Sequence, residues 1–197
     1  ICWSLVGSEM CIRDRLGLPT QNGSGNNEVH ILPTGSVFSE QRGVESFGGN
    51  LFLVNEGSIF GRNDGIFAED GNNYIVNHGT VSSQDEGIEV GGTGNVVVNY
   101  GGIFAYGFDE AVELDTTVGE SAELYNFGII DGSGGTGGVD GDAGNDRVVN
   151  RGTIIGDVDL KGQNDEFDGR GGTVEGVVQG GSGDDLYLID DASIELE

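Results

Sequence analysis

Apolar and polar residues alternate in short runs that keep returning to one turn. The runs are LVNEGSIF around Asn55, IVNHGTVS around Asn77, VVNYGGIF around Asn99, LYNFGIID around Asn126 and VVNRGTII around Asn150, so the asparagines fall 22, 22, 27 and 24 residues apart. Degenerate copies lie to either side, ILPTGSVF around Gly35 and GRGGTVEG around Gly172. A second element recurs between these turns: NDGIF at Ile66, DEGIE at Ile88, DEAVE at Val112 and TGGVD at Val139. Alternation of this kind over three to five residues marks strands, and a repeat of about 20–24 residues holding two or three of them is one coil of a solenoid. The chain is therefore read as all-β, a right-handed parallel β-helix (β-solenoid).

In that reading Ile59, Val76, Val81, Val98, Ile103, Val149 and Ile154 point inward and stack on their equivalents at the strand spacing of about 4.8 Å. The asparagines form a ladder of side-chain amides that satisfies buried polar atoms at the turn. The glycine two residues later is expected to supply a positive φ for a sharp bend. The insert DGSGGTGG at 131–138 is expected to bulge from one corner. One coil cannot bury its own apolar face, so stability has to come from its neighbours.

Composition narrows the chemistry. Thirty-nine glycines in 197 residues argue against helices, where each interior glycine costs about 1 kcal/mol against alanine. The 34 acidic and 8 basic residues give a net charge of −26, which repels nucleic-acid backbones and anionic membrane surfaces and favours metal cations. No apolar run reaches the roughly 18 residues that cross a bilayer, so no membrane insertion by a helix is expected.

The sulfur is confined to the first eleven residues, with Cys2, Met10 and Cys11 beside the only tryptophan, Trp3. Residues 5–15, LVGSEMCIRDR, resemble a translated sequencing-library adapter, and residues 1–15 are set aside as non-structural. Their cysteines then say nothing of redox compartment. The remainder keeps 6 of the 8 basic and 32 of the 34 acidic residues, so the charge argument stands. Trp3 and Met10 are expected to pack poorly on the first coil.

The remaining turn carries the candidate site. GGSGDDLYLID, with Gly180, Gly181, Gly183, Asp185 and Tyr187, resembles the nonapeptide G-G-x-G-x-D-x-(large apolar)-x of the RTX, or haemolysin-type, calcium-binding repeats. Residues 141–149 match with Asp142 in place of the second glycine, and residues 160–168 keep Asp165 and Phe167. The spacing adds a separate argument, because Asp146, Asp165 and Asp185 are 19 and 20 residues apart, about one coil. Carboxylates stacked about 5 Å apart in a partly dry site repel by about a kcal/mol or more, and calcium, a hard ion taking six to eight oxygens, relieves this. The resemblance implies two Ca2+ ions, one between Asp146 and Asp165 and one between Asp165 and Asp185. The candidate ligands are these three aspartates, their neighbours Asn145, Asn164 and Asp184, and the turns at Gly144, Gly162 and Gly183. Earlier turns carry Asn73 or Val96 near the acidic position, so calcium is expected only in residues 141–197, with plain coils over 16–140.

A β-helix enzyme acting on polysaccharide is the alternative, with Asp64, Asp85, Glu86, Asp109 and Glu110 on neighbouring coils. Such chemistry needs a base and a cation against an acidic sugar, and the chain offers one lysine, Lys161, and two histidines, His30 and His78. His78 fills a slot that sister coils give to Glu56, Tyr100, Phe127 and Arg151, as a variable surface position would. No catalytic residue is assigned. The expected role is a calcium-binding structural or adhesive module of a larger secreted or cell-surface bacterial protein. Its expected partners are calcium ions and extracellular carbohydrate or a host or cell surface.

Overall fold

The computed structural model describes residues 27–190 and 194–197. The adapter-like residues 1–15, with Trp3 and Met10, lie outside the described residues. The described residues form a parallel β-solenoid of about eight turns, with no helix among them. Each full coil contributes three short strands, such as Asn27–Ile31, Ser36–Ser39 and Val44–Ser46 in the first. Each strand pairs in parallel with its counterpart one coil on, building a first sheet of eight strands, a second of seven and a third of eight.

Register is kept along the whole molecule. In the first sheet Leu53, Ile75, Val97, Leu124, Val148 and Phe167 form one inward column. In the second, Ile59, Val81, Ile103, Ile130, Ile154 and Val174 do the same, and in the third Ile66, Ile88, Val112, Val139, Val158 and Val178. These columns make one continuous core. Asn55, Asn77, Asn99, Asn126 and Asn150 are fully buried; the amide nitrogen of each of the first four donates to the next asparagine's Oδ1 at 2.8–2.9 Å, and that of Asn150 donates to the Thr173 carbonyl.

Three expectations change. Val76, Val98 and Val149 stay outside the central packed cluster, although Val98 and Val149 are buried where they lie. Successive strand residues face opposite ways, so the residue before an inward asparagine must face outward, and Ile75, Val97 and Val148 take the inside. The turn glycine at Gly101 has no positive φ; a Cβ there would lie 2.0 Å from the carbonyl oxygen of Gly79 in the coil before. Close approach of stacked backbones, rather than a left-handed bend, requires glycine. The inserts also leave from two corners: residues 132–138 bridge the second and third sheets, and residues 116–121 bridge the third and first.

Candidate functional site

The parallel strands bring the three aspartates into one column. They precede the paired residues Arg147, Glu166 and Leu186, in the position held by Asn73, Asn95 and Ala122 in earlier coils. Asn95, rather than Val96, is thus the equivalent residue. The Ala122 N–H donates to Asp146 Oδ1 at 2.7 Å, the Asp146 N–H to Asp165 Oδ1 at 2.7 Å and the Asp165 N–H to Asp185 Oδ1 at 2.9 Å. Leu51 and Asn73 donate in the same way to Asn73 and Asn95, both at 3.0 Å. Each aspartate therefore does an asparagine's job with a charge added.

The charge is poorly provided for. Asp146 and Asp165 are buried. The second oxygen of Asp146 accepts from Thr116 Oγ1 at 2.8 Å, but Oδ2 of Asp165 is buried with no hydrogen-bond partner. Burial pushes Asp146 up to about 6, against the pull of Thr116 and the Ala122 N–H. Burial likewise pushes Asp165 up to about 7, with the Asp146 and Asp185 charges adding to it.

Asn145, Asn164 and Asp184 form a parallel, more exposed line. The Asn164 N–H donates to Asn145 Oδ1 at 3.3 Å and the Asp184 N–H to Asn164 Oδ1 at 2.8 Å. The glycines allow the turns to stack: a Cβ on Gly144 would meet Thr116 Oγ1 at 2.1 Å, and Gly162 bridges to Ser182. Gly183 adopts φ 151°, and a Cβ there would meet the Gln163 carbonyl oxygen at 1.5 Å. As a donor set for a hard cation the column fits at Asp165, which has an unengaged carboxylate oxygen; both oxygens of Asp146 already accept hydrogen bonds.

A second acidic feature covers the outer face of the third sheet. Its register stacks Glu45, Phe67, Glu89, Glu113, Asp140, Asp159 and Gln179 in one outward column. Arg42, Asp64, Glu86 and Glu110 lie two residues before the first strand position of successive coils. Oxygens of Asp64, Glu86 and Glu89 lie within 4.8 Å of one another, a span one cation can serve. A cation of the chain is already there, for Arg42 donates to the buried Asp64, reaches Glu45 at 3.1 Å and lies over the Phe67 ring. Glu86 and Glu89 are each pushed up to about 8 and Glu113 to about 7, by burial first and neighbouring carboxylates second. Toward the C-terminal coils the face holds a cleft of about 190 Å³ lined by Glu110, Thr136, Asp140, Asp157, Asp159 and Lys161, where Lys161 pairs with Asp140.

The carboxylates named for an enzyme thus divide. Asp64, Glu86 and Glu110 align on this face, while Asp85 and Asp109 sit at its corner, where burial and then the Asp109 charge raise Asp85. Arg42 and Lys161 are committed to carboxylates. His30 lies 2.9 Å from Glu28, and the exposed His78 stacks on Tyr100 at 4.9 Å. Sequence reading passed over Glu89, Glu113 and Asp140, although they end the recurring motifs DEGIE, DEAVE and TGGVD. No family model, curated protein or solved structure matches the chain.

Proposed function

We propose that the chain is a calcium-stabilised repeat module, a structural or adhesive solenoid that works at the bacterial surface or outside the cell. The observation that carries this is the buried, unpartnered Oδ2 of Asp165 within three in-register aspartates. Asparagine fills the same ladder position in earlier coils, so hydrogen bonding alone gives no reason for aspartate. A hard cation gives one, since an ion there offsets both burial and mutual repulsion. Asp165 and Asp185 would hold it with carbonyls of the turns at Gly144, Gly162 and Gly183, flanked by Asn145, Asn164 and Asp184. Bound calcium supplies positive charge and cross-links successive coils; the chain's own ladder keeps the aspartates in register.

Binding to the folded state alone stabilises by RT ln(1 + [L]/Kd), about 1.4 kcal/mol per ion at a tenfold excess over Kd. Thermal melting followed by circular dichroism, with calcium raised from zero to about 5 mM, a range suited to extracellular calcium modules, tests the reading. The wild type should melt several degrees higher in calcium. Asp165→Asn should melt above the wild type in chelator and gain little from calcium. An equal calcium shift in both proteins, or none in either, would sink the proposal.

A further inference from the structure

The outer face of the third sheet is built so that like charges must meet. Strands Ile88–Gly91 and Val112–Asp115 pair with Glu89 opposite Glu113, and in-register parallel strands hold such partners about 4.8 Å apart. Glu86 adds its oxygens to Asp64 and Glu89 on the same side. The flanking elements bring mostly more acid. The preceding coils contribute Glu45, Asp64 and Glu69, the same coils Asp85, Glu110 and Asp115, and the following coil Asp140 and Asp142. The two cations there are Arg42, paired with Asp64 and Glu45, and Lys161, paired with Asp140. Phe67 shares the Glu89 column and excludes water from one side.

We propose that this face, with Glu89 stacked on Glu113 and Glu86 gathered against Asp64 and Glu89, is a proton-operated clasp that tightens the middle coils of the solenoid when these carboxylates are protonated. Protonation removes charge from the stack and leaves carboxyl groups that can donate hydrogen bonds to neighbouring carboxylates. The direction follows from linkage. Burial and the neighbouring carboxylates push Glu89 up to about 8, Glu113 up to about 7 and Glu86 in the same direction from an ordinary 4.5, so the folded state binds more protons than the unfolded chain between those values. The stabilisation is complete below the ordinary value and is lost as pH rises through about 7 to 8. Mild acidification should therefore raise the stability of these coils.

The clasp is independent of the aspartate column, and its test is run in chelator. Thermal melts of the wild type and of the double variant Glu89→Gln, Glu113→Gln are compared at about pH 8.5 and about pH 6.5, the two sides of the titration. The wild type should melt higher at the lower pH. The double variant should melt above the wild type at the higher pH and show a clearly smaller pH shift. A pH shift as large in the variant as in the wild type would overturn the proposal. Should the variant fail to fold, carbon-13 NMR of the wild-type side chains decides: Glu89 and Glu113 carboxyl signals moving above pH 6 support the clasp, and both moving in the ordinary glutamate range overturn it.

Discussion

Asp168 shows how differently the same side chain fares with a suitable partner. It is buried, and Arg170 grips it through Nε at 2.9 Å and Nη2 at 2.7 Å while Arg151 reaches it through Nη1 at 3.0 Å and Nη2 at 2.7 Å. The Arg170 guanidinium first, opposed by burial and helped by Arg151, holds Asp168 well below the usual carboxylate range. Its contribution has the opposite pH sense to the acidic face: it is present above the ordinary 3.8 and fades as pH falls through the depressed folded value. Asp168→Ala should cost about 1.5–3 kcal/mol near neutral pH, the range for hydrogen bonds to charged groups, with the deficit shrinking in strong acid. Melts of variant and wild type at both pH values check this. Sequence reading reached Asp165 and its coil-spaced partners because their type recurs at one interval. It did not reach Arg42 with Asp64 or Arg151 with Asp168, because those pairs join unlike residues 22 and 17 positions apart that occur once each.

Within a coil, the most exacting position is the glycine that follows the ladder asparagine. Gly101 faces the Gly79 carbonyl so closely that alanine would place its Cβ 2.0 Å from that oxygen. Backbone has to move to make room, so Gly101→Ala should destabilise by about 2–4 kcal/mol, in the tail of single substitutions. Alanine at the exposed turn glycine Gly119, where nothing lies within 4 Å, pays only for its φ of 89° and should cost about 1–2 kcal/mol. Denaturant melts of the two variants rank them. The asparagine–glycine spacing was legible from the sequence, but its cause was not, since two residues two positions apart carry no trace of the coil below. The parity of the first sheet was hidden for a related reason. Leu53 and Val54, or Val97 and Val98, are both apolar, so neither marks the inside, and it is the buried asparagine that sets the phase.

Over the whole molecule, stability is divided between an apolar interior and a surface that repels itself. The core columns run through the described coils, while the chain carries a net charge of −26. The Debye length is about 10 Å at 0.1 M salt, about two coils, so monovalent salt should screen most repulsion beyond immediate neighbours. In chelator at about pH 8, raising sodium chloride from about 20 mM to about 300 mM should lift the melting temperature by several degrees, and an unchanged or lower value would mean that surface repulsion is immaterial. Solenoid architecture was the most legible feature of all, because a repeat of fixed period can bury its apolar face only against itself.

Asn55, Asn77 and Asn99 stand 22 residues apart and meet equivalent partners in each coil. Loss or duplication of one such 22-residue block by unequal recombination would rejoin every column to its own kind, with no new packing to be found. Reach along the axis is therefore a trait that inheritance can lengthen or shorten one coil at a time, while most other deletions would throw all three sheets out of step at once.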